Sequence, residues 1–269
     1  MEITSQLELE QLFNKYQLHS AIKHEFIDAG FMDALEAEDI DPIFGLDLLA
    51  QIYLHKRTDI PIMVGILAHH FQHEENPYQA CSDALLDAIA KDVLDWDPLG
   101  ETLVVKFPIP EEAQDRIDMY QYPLPMVHEP NEVRHNRQTG YDTIKGSLIL
   151  RNNHHDEDIC LDHINRSNQI ALSLDSDVVA FIQNQWKNHD RRKDGESRED
   201  FRKRVKAFDK YDRTSRDVLA ALMAQGDRFW LTHKYDKRGR TYAQGYHVNP
   251  QGNDWNKACV EFANKEKLS

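Results

Sequence analysis

The sequence of 269 residues predicts an α+β protein, mainly helical. Three observations carry that prediction. Apolar residues recur at helical spacing through the first third and again between residues 162 and 225. One β-rich run, Thr102-Leu-Val-Val-Lys-Phe107, interrupts them. Two short strand-like runs then flank a glycine near residue 239.

Taken in order, Leu7, Leu12, Phe13 and Tyr16 mark a first helix, with Thr4 or Ser5 as its N-cap and Glu8 placed for a capping box. Ile62 to Phe71 is apolar enough for a buried helix. Asn76-Pro77 pairs a capping residue with proline at the first helical position, and the helix continues through Leu85, Leu86, Ile89 and Val93. Asp97-Pro-Leu-Gly100 is turn chemistry leading into the β-rich run. Proline-broken sequence covers Pro108 to Pro130, and Ser147-Leu-Ile-Leu-Arg151 reads as a short strand. Helical periodicity returns from Asp162 to Trp186 through Ile164, Ile170, Leu174, Val178 and Phe181. A strongly charged helix spans Ser197 to Gln225. Phe229–Lys234 and Thr241–Val248 form the closing strand pair, with Gly239 free to take a positive φ at the turn.

Composition places the chain among ordinary globular proteins, at 41% hydrophobic and 29% charged residues. No apolar run approaches the roughly 20 residues that span a bilayer, and no secretory signal opens the sequence, so no membrane partner is expected. Cys81, Cys160 and Cys259 are odd in number and lack a CxxC pair, which points to free thiols and the cytosol. The net charge of −14 hides an asymmetry. Residues 1–186 carry 12 Lys/Arg against 33 Asp/Glu, whereas residues 187–269 carry 20 against 13. A basic C-terminal third on an acidic body suits a protein that meets phosphate on one face, although charges on solvated helices can cluster without function.

The chemistry concentrates at the C-terminal end. Lys234, Lys237, Arg238, Gly239 and Arg240 fall within seven residues. Arginine forks grip phosphate oxygens in a bidentate geometry, and Asp236 is placed to orient one of them. Tyr242 and Tyr246 offer ring faces for stacking. Alone, Arg-Gly-Arg could equally be a solvated turn.

The order of residues around it resembles the start of the palm in the single-subunit RNA polymerases of phages and mitochondria. That family's aromatic strand, D-x-R-G-R-x-Y, N-P-Q-G-N-D and following lysine are matched by Phe229-Trp-Leu, Asp236, Arg238, Gly239, Arg240, Tyr242, Asn249-Pro-Gln251-Gly252-Asn-Asp254 and Lys257. Pro125-Met-Val-His-Glu-Pro130 with Thr139-Gly-Tyr141 is similar to an upstream family segment, though it lacks the usual tryptophan and first glycine. Leu161-Asp-His-Ile-Asn-Arg-Ser-Asn-Gln169 and Ser215 to Gln225 are similar to helices before the thumb and the palm. The likeness covers residue 120 onward, and residues 1–95 have no residue-by-residue counterpart.

The resemblance implies three parts of a right-hand polymerase fold: an N-terminal domain over 1–160, thumb helices over 161–226 and the opening palm hairpin over 227–269. It implies that Arg238 and Arg240 hold the DNA template or RNA–DNA hybrid, with Tyr242 and Lys257 beside them and Asp236, Gly239, Asn249, Gln251, Gly252 and Asp254 in support. Arg202, Lys203, Arg204 and Lys206 would sit on the thumb, unless they merely solvate a helix laced with partners such as Glu199 and Asp200. By order alone, residues 95–107 stand where the family has an intercalating hairpin.

The family's metal-binding aspartates would follow beyond Ser269, so no catalytic residue and no metal ligand is expected within this chain. Mg²⁺ is expected on a second RNA polymerase subunit carrying the remaining palm and fingers, as in the family's two-subunit phage enzymes. That implies transcription in the cytoplasm of an infected bacterial host, with a phage single-stranded-DNA-binding protein as a possible further partner. The alternatives are a non-catalytic single-stranded nucleic-acid-binding or regulatory protein, and a fragment of a full-length polymerase.

Two other clusters bear chemistry. His69 and His73 would share a helix face as a metal pair, but no HExxH or third ligand at a known spacing accompanies them. Asn152-Asn-His-His-Asp-Glu-Asp158 could bind a metal weakly but reads better as a solvated loop.

Overall fold

The structure is a computed structural model. It describes residues 5–12 and 15–265, and the side chains of 12, 15, 16 and 17 lie outside that description. Thr4 and the expected core contacts of Leu12, Phe13 and Tyr16 therefore fall outside the described residues. The chain is α+β, with many helices and few, short strands. It divides into two compact units, one of residues 15–117 and one of residues 1–14 with 118–269.

Ser5 begins the first helix, α1 (Gln6–Leu12), its Oγ accepting the Glu8 amide at 3.3 Å. In the 15–117 unit, α2 (Lys15–Asp28) and α3 (Phe31–Ala37) pack on α4 (Pro42–His55). α4 starts sharply because the Asp41 side chain accepts the Phe44 amide at 2.8 Å and Pro42 supplies a preset φ. It is the centre of this unit, with Phe44, Leu46, Leu48, Leu49 and Ile52 all buried. Gly45 belongs to the contact with α3, since a Cβ there would lie 2.7 Å from Leu35 Cδ1.

β1 (Arg57–Thr58) leads to α5 (Ile60–Leu67), a 3₁₀ turn (Ala68–Phe71) and α6 (Pro77–Ala90). Apolar spacing predicts one buried helix over Ile62–Phe71. Instead, α5 buries only Met63 and Leu67 and tightens into 3₁₀ geometry at Ala68. Asn76 caps α6 as expected, accepting the Gln79 amide at 3.2 Å. β2 (Asp95–Asp97) and β3 (Thr102–Val104) then form an antiparallel hairpin, extended to the order β1–β3–β2. Asp97 Oδ1 accepts the Leu99 and Gly100 amides in the turn, and Leu99 is 98% exposed at its tip. α7 (Glu111–Tyr120) follows.

In the second unit, the expected helix over 162–186 breaks into α8 (Leu161–Asn168), β4 (Leu172–Leu174) and α9 (Ser176–Phe181). Tertiary pairing overrides the local period, because Leu172 and Leu174 find strand partners far along the chain and Asp175 caps a new helix through the Asp177 and Val178 amides. α10 (Arg198–Gln225) is the 28-residue charged helix, with Ser197 capping it through the Asp200 amide at 3.0 Å. β5 (His233–Tyr235) pairs with β6 (Thr241–Ala243), and α11 (Asp254–Cys259) delivers β7 (Val260–Phe262) antiparallel to β4.

The closing strands are shorter than their sequence runs. Phe229 and Trp230 make single bridges to Leu172 and Met126, and Gly245 turns the chain against Val248. Ser147–Arg151 is not a strand either. It makes one bridge, Ile149 to Tyr235, before Asn152 enters a turn at φ 64°. That bridge nevertheless matters, because Tyr235 is fully buried among Val133, Leu148 and Ile164, directly beneath the glycine turn. No described helix is long and apolar enough to cross a membrane.

Candidate nucleic-acid interface

The β5–β6 turn is built around Asp236. Its main chain closes the hairpin, the Asp236 amide donating to the Arg240 carbonyl at 3.0 Å and the Gly239 amide to the Asp236 carbonyl at 2.9 Å. Gly239 takes φ 77°, the left-handed conformation anticipated for it. The Asp236 carboxylate is nearly shut from solvent and collects four donors. Oδ1 accepts the Arg238 amide at 2.8 Å and the Arg240 amide at 3.1 Å, while Oδ2 accepts Arg240 Nε at 2.7 Å and the Tyr242 hydroxyl at 3.2 Å. Burial works to raise this carboxyl, but the Arg240 guanidinium and the two amides outweigh it and hold the group down to about 2. The same pairing raises Arg240. Asp236 thus fixes one arginine by its side chain and the other by its backbone.

Two loops brace this turn. Asn153 Oδ1 accepts the Lys237 amide at 2.9 Å, and His155 Nε2 donates to the Asp236 carbonyl at 3.0 Å. The 152–158 segment is therefore a buttress for the hairpin and not a freely solvated loop. It escaped sequence reasoning because its contacts lie some 80 residues away in the chain. The other brace is the Asn-Pro-Gln-Gly-Asn-Asp loop. Gln251 reaches back along β6, its Oε1 accepting the Ala243 amide at 2.8 Å and its Nε2 donating to the Thr241 carbonyl at 3.1 Å. One side chain so replaces a missing strand on that edge.

Asn249 Oδ1 accepts the Gln251 amide at 2.8 Å, and Asn253 caps α11 through the Asn256 amide. Gly252 leaves room for Asn256, whose Oδ1 would lie 2.7 Å from a Cβ at 252. Asp254 opens α11 fully exposed and stands 3.7 Å from Lys257 Nζ. Asp254, grouped with the supporting residues of the loop, begins the helix that follows it.

What the turn presents outward is Lys237 and Arg238, both exposed, and an Arg240 side chain that stays 61% exposed despite its clamp. Tyr242 is not a free ring, because its hydroxyl is held by Asp236 and its face lies 6.0 Å from the Arg240 guanidinium. Tyr246 stacks on Tyr122 at 4.1 Å, which covers one of its faces. Lys234 is half-buried, and burial lowers its pKa.

The four cations grouped on α10 separate. Arg204 turns inward, binding both Glu196 oxygens at 2.7 and 2.9 Å and donating to the Asn188 and Arg191 carbonyls. It clasps the loop before α10, so it offers little to a phosphate. Lys203 pairs with Glu199 at 2.7 Å. Arg202 and Lys206 remain exposed, and Arg198 one turn earlier joins them on the same ridge. Its spacing of four from Arg202 along the helix is the sequence signal that marks Arg198.

The histidines at 69 and 73 do not pair. His73 faces Glu74, and the 3₁₀ turn sets His69 against His70 instead, ring centroids 4.1 Å apart.

No protein-family model matches the chain, and no curated protein matches it.

Proposed function

We propose that this chain is the small subunit of a heterodimeric phage DNA-directed RNA polymerase, supplying the N-terminal domain, the thumb and the template- or hybrid-binding hairpin. The pattern resembles the small subunit of the two-subunit middle-gene enzyme of Enquatrovirus-type podophages. In this reading Mg²⁺ and the catalytic carboxylates belong to the partner subunit, and transcription takes place in the cytoplasm of the infected bacterium. Arg238 and Arg240 grip the nucleic-acid backbone, Asp236 aims them, and Gln251 keeps their platform rigid. Arg198, Arg202 and Lys206 add a basic ridge on α10. The Leu99-tipped hairpin is the candidate for parting strands.

The observation that carries the proposal is the unit made by the D-x-R-G-R and N-P-Q-G-N-D segments. The residues matched to the family are those that build and brace one arginine-bearing turn, which random coincidence of letters would not require. A secondary support is the edge of β7. Among the described residues β7 pairs with β4 alone, and Phe262 there is 66% exposed beside Ile170. An unpaired apolar edge suits a palm sheet continued by another polypeptide.

The test is reconstitution with the candidate large subunit on a primed RNA–DNA scaffold with NTPs and Mg²⁺. The assembled pair is expected to extend the primer and the single chain is not. Arg240→Ala should cripple elongation without disturbing assembly, and Arg238→Ala should lower the salt slope of hybrid binding by about one phosphate contact. Extension by the isolated chain, or full activity of the assembled Arg240→Ala enzyme, would refute the assignment.

A further inference from the structure

Away from the arginine hairpin, the 15–117 unit gathers three histidines around one buried aspartate. Asp47 on α4 is 5% exposed and meets His70 Nε2 through Oδ2 at 2.7 Å. His69 Nε2 lies 3.7 Å from the same oxygen. The His69 ring is already oriented, because its Nδ1 donates to the Ile66 carbonyl at 2.9 Å, which in the neutral ring leaves the lone pair on Nε2. His19 on α2 presses against the other carboxylate oxygen. Both contacting atoms, His19 Nε2 and Asp47 Oδ1, are shut from solvent.

We propose that Asp47 Oδ2, His69 Nε2 and His70 Nε2 form a binding site for a zinc-class divalent cation, with His19 as the positioning residue for Asp47. The inference is independent of the polymerase reading. The three donor atoms lie within 4.8 Å of one another. Ligand atoms ~2.0–2.1 Å from a tetrahedral zinc stand ~3.3 Å apart. The two distances to Asp47, 2.7 and 3.7 Å, bracket that value. Side-chain rotations that open the His70 contact, close the His69 contact and bring the two imidazole nitrogens to the same spacing, with His70 carrying its proton on Nδ1, would complete the set.

Two imidazoles and one carboxylate favour zinc, cobalt or nickel and disfavour magnesium, which prefers oxygen donors and retained water. The exposed side of His69 leaves the fourth position to water. His19 parallels the outer-shell partners that hold metal ligands in line. The ammonium of Lys23, near enough to act on Asp47, opposes the cation and sets a limit on its affinity. Such an ion would tie α4 to the turn after α5, which the Phe44 contacts with His70 and Phe71 already join, and would stabilise the folded unit by mass action.

The full chain, stripped of metal, is titrated with Zn²⁺ alone by calorimetry and with Co²⁺ by visible absorption. One Zn²⁺ per chain is expected, with Co²⁺ giving ligand-field bands and Mg²⁺ giving no binding. His69→Ala, at an exposed position that folding should tolerate, and His70→Ala should each weaken zinc at least tenfold, the loss that even outer-shell changes cause. His73→Ala should leave the affinity unchanged. His19→Gln should weaken zinc while preserving the Co²⁺ bands, because it removes no ligand. No zinc uptake by the wild-type chain, or equal uptake by wild type and His69→Ala, would overturn the site.

Discussion

His247 allows the tightest quantitative test of how the arginine platform is held. It lies 5% exposed between the β6 strand and the Asn-Pro-Gln-Gly-Asn-Asp loop. Ser215 Oγ is 3.4 Å from its Nδ1, Asn256 Nδ2 donates to its carbonyl at 3.0 Å, and the rings of Tyr122, Tyr211 and Tyr246 surround it. Burial depresses its pKa from the ordinary 6.5 to about 4, against the opposing pull of Asp118. A histidine depressed in the folded state stabilises the protein above the unfolded pKa. That contribution is lost as pH falls from 6.5 toward 4, because the unfolded chain takes up the proton first. With these two values, linkage gives a loss of about 0.8 kcal/mol at pH 6 and about 2 kcal/mol at pH 5, relative to pH 8. Other groups titrate over the same range, so the measurement is a comparison with His247→Gln, which cannot titrate at this site. Urea unfolding is followed by tryptophan fluorescence, dominated by Trp186, Trp230 and Trp255 of the same unit. The stability gap between wild type and variant should narrow by those amounts as pH falls. A gap that stays constant or widens between pH 8 and 5, or an imidazole resonance of native His247 titrating near 6.5, would refute the reasoning.

Two further predictions follow from the same unit. Gly245→Ala should cost about 2–4 kcal/mol and lower Tm by roughly 5–15 °C in a calorimetric scan. The new Cβ would stand 2.2 Å from the Val248 carbonyl oxygen, a backbone atom that cannot step aside. Arg204→Ala should expose the 188–196 loop to limited proteolysis while leaving the hybrid binding proposed above intact, whereas Arg202→Ala and Lys206→Ala should do the reverse. Loss of hybrid binding in Arg204→Ala with an unchanged cleavage pattern would contradict the inward clasp seen here.

The helices with chemical punctuation were legible from sequence. Ser5 with Glu8, Asn76 with Pro77, and Ser197 ahead of the charged run each fixed a helix start, because a cap is a local event settled within four residues. The Asp162–Trp186 stretch was misread for the opposite reason. Its apolar spacing suits a helix, but Leu172 and Leu174 gain more from pairing with β7, some ninety residues onward. The candidate site shows the same division. Arginines flanking a glycine announced a cationic turn, and Gly239 and Asp236 play the parts their chemistry suggested. Asn153, His155 and the reach of Gln251 along β6 were invisible, since nothing in local spacing marks a side chain that braces a distant turn.

By itself, then, the sequence determined the residue types gathered at the hairpin, the charge split that makes its end of the chain basic, and the helix starts. Tertiary structure alone decided which cations face outward. Arg204 turns into a clasp because two carbonyls and a carboxylate converge on it, and Arg240 stays aimed because Asp236 is buried beneath it. Tertiary structure also moved His69 away from His73 and toward His70 and Asp47, where a 3₁₀ turn replaces the helix that local periodicity favoured. In each case the deciding energy is a contact between groups far apart in the chain, which no reading of neighbouring residues contains.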